Sequence, residues 1–193
     1  MIPSNAPSAS AGLRAVVITV SDRSASGERA DGGGPLAVEA LRADGFACAD
    51  ATIVPDGERS VARALEAAIG EGARVVVTTG GTGVGPRDLT PEGTRAVLDR
   101  EIPGIAEELR RRGAAALPAG MLSRGLAGVS ANALVVNLPG SPAAVRDGMP
   151  VIVSIARHVV GQLDGGDHPE PVTRRAPGHD DSRGSAHHGG EKR

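Results

Sequence analysis

A chain of 193 residues with 40% hydrophobic content is long enough to bury one core. Its formal net charge of −2, from 21 Lys and Arg against 23 Asp and Glu, argues against a generally basic surface for nucleic acid or membrane, and with no Trp or Tyr and only Phe46 it offers little on which single-stranded bases could stack. Lys192 is the only lysine, so a phosphate held by the body of the chain must be met by backbone amides, arginines, hydroxyls or a metal ion, and a Walker-type P-loop is excluded.

The single cysteine, Cys48, allows no internal disulfide, and no apolar run reaches the roughly 20 residues of a membrane helix, so the reading is a cytoplasmic protein. Residues 1–12, rich in Pro, Ser and Ala, read as a flexible lead-in, 13–164 as one domain, and 165–193 as a disordered tail. The tail holds four of the five histidines, at spacings that match no closed metal site.

Between the ends, strand-like and helical segments alternate, which predicts an α/β three-layer sandwich: a mostly parallel central sheet with helices on both faces. Arg14 to Ser21 is a β-branched strand of the kind buried on both faces, followed by a polar loop from Asp22 to Gly34 whose glycine-rich end, 31–34, reads as mobile. A helix follows from about Pro35 to Asp44, with Leu36, Ala40 and Leu41 inward and Gly45 as its stop. Cys48 to Val54 reads as one strand, Glu58 to Gly70 as a helix, and Val75 to Thr79 as a central strand. Thr90 is placed as an N-cap with Pro91 in the first turn, and helix extends to Arg112 apart from a break at Pro103-Gly104. Two strands, 126–129 and 133–137, surround Ser130-Ala131-Asn132, and helices start at Ser141 and at Val151. His158, in an apolar helix, reads as packed, and Cys48 as core.

The strongest local signal is Thr78-Thr79-Gly80-Gly81-Thr82-Gly83-Val84-Gly85 after the central strand. Glycines there let backbone N–H groups converge on a guest, and the carboxyl ends of strands are where open α/β sheets bind ligands. A tight strand-to-helix turn would use the same residues. Arg87 suits an anion site. Asp88, beside it, reads either as a Mg²⁺ contact or as an Asx turn ahead of Thr90. Asp56, in Pro55-Asp56-Gly57, is either a turn residue or a second carboxylate on the same rim. Ser21-Asp22-Arg23 tips the first strand, Leu138-Pro139-Gly140-Ser141-Pro142 combines a glycine with a helix N-cap, and Glu101 stands beside the break at Pro103.

Taken in order, Val20-Ser21-Asp22-Arg23, the run 78–83, Arg87 to Pro91, Glu101 to Gly104, Met121 to Arg124 and Asn137 to Pro142 resemble the molybdopterin-binding family of MogA/MoaB type, the molybdopterin adenylyltransferases of molybdenum-cofactor biosynthesis and their relatives. The resemblance spans about Arg14 to Leu163. It implies a homotrimer with a pterin pocket along the strand ends, molybdopterin as substrate, ATP as co-substrate, Mg²⁺, and a downstream molybdenum-insertion protein as partner. It implies catalytic and metal-binding roles for Asp56 and Asp88, a phosphate-holding loop at Thr79, Gly80, Gly81, Thr82 and Gly83, and pocket positions at Ser21, Asp22, Glu101, Pro139, Gly140 and Ser141. A carrier that binds molybdopterin without adenylylating it is the alternative. The chain departs from the family's pattern at Val129 to Asn132, where many relatives carry a basic residue and glycine; a cationic ligand contact there is in doubt.

Overall fold

The computed structural model describes residues 12–166. Three apolar runs, Arg14–Val20 (β1), Val75–Thr79 (β4) and Ala133–Leu138 (β7), lack polar alternation, so each needs cover on both faces. They form the middle of one seven-stranded mixed sheet of order β2-β1-β4-β7-β6-β5, with Ala47–Cys48 (β2) and Thr52–Val54 (β3) along one edge and Ala127–Ser130 (β6) and Arg100–Glu101 (β5) at the other. β1, β4 and β7 are parallel, as are β2 and β3 to β1, whereas β6 runs antiparallel to both β5 and β7.

The two faces follow from the period of two along each strand. Ala15, Val17, Val75, Val77, Leu134 and Val136 face Gly34–Ala43 (α2), Pro103–Ala116 (α5) and Pro142–Leu163 (α6), whose Leu41, Ile105 and Ile152 complete that core. Ile18, Val20, Val76 and Val135 face Glu58–Gly70 (α3) through Val61, Leu65 and Ala68. The expected three-layer α/β architecture is therefore present. Among the described residues no helix is long and apolar enough to cross a membrane.

Several boundaries differ from the sequence reading, each for a physical reason. The loop after β1 begins with a helical turn, Asp22–Ala25 (α1), because the Ser21 hydroxyl accepts the Ser24 N–H at 3.2 Å. Its glycine-rich end is not free: the Asp31 carboxylate accepts the amides of Gly33 and Gly34 and the Thr19 hydroxyl. In α2 the buried side chains are Ala37, Val38 and Leu41, with Leu36 and Ala40 only half-buried. The single strand expected over 48–54 is split, since Ala15 pairs with Cys48 and Ile18 with Thr52, leaving one residue too many on the edge, a bulge.

Helix does not continue from Thr90 to Arg112. It stops after Thr90–Arg95 (α4), and Arg100–Glu101 instead joins the sheet, where Asp99 N and Ile102 N bond the carbonyls of Val129 and Ala127 that would otherwise be an open edge. Thr90 is not the cap: Leu89 holds that position, and the threonine hydroxyl is used elsewhere. The two helices expected after Ser141 are one, running through Pro150, because Met149, Val151, Ile152, Ala156 and Val160 are all buried against the sheet. His158 is exposed on that helix, beside Gln162, and is not packed. Cys48 is half-buried, and burial pushes its thiol up. The histidine tail from 167 onward and the lead-in through 11 lie outside the described residues.

Asn137 ties the buried layers together. Its amide donates to the hydroxyls of Thr78 and Thr94 at 2.9 Å each, and its oxygen accepts the Leu126 N–H at 3.0 Å. Asn137→Leu leaves the buried Thr78 and Thr94 hydroxyls and the part-buried Leu126 N–H without this partner and is expected to lower stability by about 2–4 kcal/mol, read by urea denaturation; a loss near zero would show that the network is dispensable.

Candidate active site

From β1 the chain passes to β2 and β3 on one side, then returns to β4 on the other. Such a reversal leaves a crevice outside the carboxyl ends of β1 and β4, because the connections leave in opposite directions. A cleft of 670 Å³ opens there, lined from the ends of β1, β4 and β7 and from α5 and α6, a size suited to a small organic ligand.

The glycine loop 80–83 forms its floor. Gly80 has φ +101° and a side chain there would sit 2.2 Å from the Val20 carbonyl; Gly81 has φ +62° and a side chain would meet the Thr90 hydroxyl at 2.3 Å. Only glycine fits either position. The carbonyls of this loop are all turned toward protein donors. Gly80 O accepts the Thr90 hydroxyl at 2.9 Å, Gly81 O the Thr90 N–H at 3.1 Å, Thr82 O the Arg124 N–H at 2.8 Å, and Gly83 O the Arg124 Nε at 2.7 Å. Among the described residues, no protein group accepts from the amides of Gly81, Thr82 or Gly83. A loop with its acceptors satisfied and its donors left over is suited to an anion.

Asp56 and Asp88 both line this cleft. Asp56 is fixed through a reciprocal pair with Asp22: the Asp22 N–H donates to Asp56 Oδ2 at 2.7 Å, and the Asp56 N–H donates to Asp22 Oδ1 at 3.0 Å. Arg87 closes the arrangement, donating to both Asp22 oxygens and, at 2.7 Å, to the Asp56 carbonyl. Arg87 is thus committed to Asp22, not to an anion as its place in the sequence predicts. Its guanidinium holds the Asp22 carboxyl below the usual carboxylate range, with the Asp56 amide lending support against partial burial.

Asp88 Oδ2 accepts the Gly85 N–H at 2.8 Å, three residues back along the chain, so its carboxylate closes the 85–88 turn and makes neither the Asx turn nor the cap ahead of Thr90 that the sequence suggests. Oδ1 of Asp88 and Oδ1 of Asp56 have no protein partner among the described residues, and no group of three or more His, Cys, Asp or Glu side chains is gathered there for a metal ion.

Ser21, Asp22, Pro139, Gly140 and Ser141 line the same cleft. The Ser141 hydroxyl caps α6 by accepting the Ala144 N–H at 3.2 Å. Glu101 does not join them. It lies on the edge strand β5, exposed and bonded to Arg95 Nε at 3.2 Å, because β5 is at the opposite side of the sheet from β1. The departure at Val129 to Asn132 does not touch this cleft either: the β6–β7 turn is at the amino end of β7, away from Leu138.

The sequence reading missed Asp31 and Arg124 as organisers. Asp31 reaches under the cleft to Thr19, whose hydroxyl meets that of buried Thr79 at 3.3 Å. Arg124 gathers Gly83, the Asp88 carbonyl and the Glu92 carboxylate, and its guanidinium pulls the Glu92 carboxyl below its ordinary range. The clue to Asp31 was an acid at the head of three glycines; Arg124 offered none beyond its motif.

Fold and site together define an open α/β protein with a cleft suited to an anion at the reversal of its sheet. Residues 16–158 match the family model described as a probable molybdopterin binding domain, and the chain belongs to that family. It is 40% identical over 155 residues to the molybdenum cofactor biosynthesis bifunctional protein of Chlorobaculum tepidum, covering 80% of this chain and 50% of that one. Against the molybdopterin adenylyltransferase of Pyrococcus furiosus identity is 41% over 149 residues, covering 75% and 87%. Among solved structures, the molybdopterin biosynthesis Mog protein from Mycobacterium ulcerans superposes with a TM-score of 0.75 at 43% identity, covering 79% of this chain and 99% of that one. The chain spans about half the length of the bifunctional relatives it matches.

Because the Asp22 pKa is depressed in the folded state, the stabilisation it supplies is present above the ordinary carboxylate value and lost as pH falls through the folded one. At neutral pH it is complete. Arg87→Gln should move the Asp22 titration up toward the ordinary carboxylate range, followed by carboxyl-detected NMR across the acid range; an unchanged titration would show that Arg87 does not hold it.

Proposed function

We propose that the chain adenylylates molybdopterin. An oxygen of the terminal phosphate of molybdopterin attacks the α-phosphorus of ATP, the bond from that phosphorus to the oxygen bridging to the β-phosphate breaks, and pyrophosphate leaves with the electron pair. The observation that carries this reading is the glycine loop, with four engaged carbonyls and leftover amides, in the same cleft as Asp56 and Asp88. The name molybdopterin adenylyltransferase, borne by relatives including that of Escherichia coli K12 at 34% identity over 152 residues, supports it.

Such a transfer asks the protein mainly for alignment and charge compensation. The amides of Gly81, Thr82 and Gly83 hold one phosphate and stabilise charge as it shifts. Thr79 and Thr82 build the floor under it, while Ser21, Pro139, Gly140 and Ser141 shape the pterin side. Asp22 acts as a positioning residue, since its contacts orient Asp56. The free Oδ1 atoms of Asp56 and Asp88 fit Mg²⁺ in its usual mode, one or two carboxylates with phosphate oxygens and waters, better than a closed protein cage. Bound there, Mg²⁺ supplies neutralisation of the triphosphate charge. The same reading carries ATP as co-substrate, a homotrimer, a cytoplasmic location and delivery of product to a molybdenum-insertion protein.

Pure protein mixed with molybdopterin and Mg-ATP is expected to release pyrophosphate in step with adenylylated pterin. Molybdopterin binding with no pyrophosphate released would replace this function with that of a carrier. Asp56→Asn and Asp88→Asn should each lower kcat/KM at least about a hundredfold with the circular dichroism spectrum unchanged, and wild-type turnover in both would remove these carboxylates from the reaction.

A further inference from the structure

Arg87 and Arg124 are already paired with acids, Asp22 and Glu92, and Arg110 in the cleft wall donates to the Gly125 carbonyl. On the segment that follows β1, two arginines are not so engaged. Arg23, in α1, and Arg29, in the loop behind it, both line the cleft and are exposed, and neither side chain enters an ion pair or hydrogen bond among the described residues.

The fold holds this pair together. Arg29 N donates to the Arg23 carbonyl at 3.1 Å, Gly27 at φ +78° turns the chain between them, and the ends of the segment are fixed by the Ser21 cap and the Asp31 carboxylate. Both guanidiniums line one cleft and neither is paired with an acid among the described residues, so this wall can take up a guest carrying negative charge.

Ser24, also in the cleft wall, is 8% exposed, and its hydroxyl is the buried side-chain polar atom left without a partner among the described residues. A buried hydroxyl without a partner is a cost that a ligand oxygen reached by rotation about its side-chain bond would remove.

We propose that this segment forms a second anion subsite of the cleft, in which the Arg23 and Arg29 guanidiniums and the Ser24 hydroxyl bind the pyrophosphate portion of a nucleoside triphosphate. This rests on the adenylylation reading above and extends it. A reaction joining two phosphorylated substrates needs two anion sites. The glycine loop offers amides to a single phosphate, whereas paired guanidiniums, each able to contact two oxygens, match the higher and more spread charge of a diphosphate. Arginine, with its permanent charge, serves here because the described residues hold no lysine.

The test uses the full chain and inorganic pyrophosphate as probe. By titration calorimetry, the double variant Arg23→Gln/Arg29→Gln should bind pyrophosphate at least about tenfold more weakly than wild type, and Ser24→Ala a few-fold more weakly. In the adenylylation assay the double variant should raise KM for ATP by a similar factor while leaving the molybdopterin dissociation constant unchanged. Equal pyrophosphate affinity in wild type and double variant, or no pyrophosphate binding to wild type, overturns the subsite. Weakened molybdopterin with undiminished pyrophosphate binding also overturns it, by assigning these arginines to the pterin phosphate. Because the titration needs no turnover, arginine-dependent pyrophosphate binding in a protein that does not adenylylate would sustain the subsite and reject the activity, and turnover with an unchanged KM would do the reverse.

Discussion

The arrangement everything else depends on is the orientation of four peptide units after β4. With the carbonyls of Gly80, Gly81, Thr82 and Gly83 each bonded to a donor on α4 or on the segment before β6, the loop is held on one side only. The amides of Gly81, Thr82 and Gly83 remain as a fixed group of dipoles with no internal partner. Fixed donors are worth more to a charged guest than solvent, because they need no reorganisation when charge moves.

Two polar clusters keep that loop in relation to the carboxylates. Arg124 links Gly83 to the Asp88 carbonyl and to Glu92, so the glycine loop and Asp88 move as a unit. On the other side, Arg87 spans from the Asp88 neighbourhood to the Asp22–Asp56 pair at the ends of β1 and β3. The pair exchanges backbone amides and carboxylate oxygens, a reciprocity that leaves one Asp56 oxygen unengaged. Around this cleft Arg87, Arg110 and Arg124 each brace a backbone carbonyl, which is why Arg23 and Arg29, with no such bond among the described residues, stand out.

The middle of the fold was legible because its strands are continuous β-branched runs and its helices have one apolar face: Val75–Thr79 and Glu58–Gly70 fall where the pattern places them. The glycine loop was legible for the same local reason, as was the cap at Ser141, whereas the Ser21 cap was not. What the pattern misassigned was decided by distant partners. Arg100–Glu101 is a strand only because β6 offers it an edge, and helix propensity in that stretch says nothing about β6. Glu101 was placed at the pocket by its motif, yet the sheet order carries it to the far edge. Pro150 reads as a boundary until the apolar residues on both sides of it are seen to share one buried face. Arg87 looked like an anion ligand from sequence, and only the approach of Asp22, distant in the chain, gives it another occupation.

The most direct test of the central claim is a crystal structure of the protein with molybdopterin and a non-hydrolysable Mg-ATP analogue. The account predicts a phosphate within hydrogen-bond distance of the Gly81, Thr82 and Gly83 amides, with Asp56 and Asp88 on the side facing the nucleotide. A complex in which both ligands' phosphates lie away from those amides, with the glycine loop touching only solvent, would contradict it.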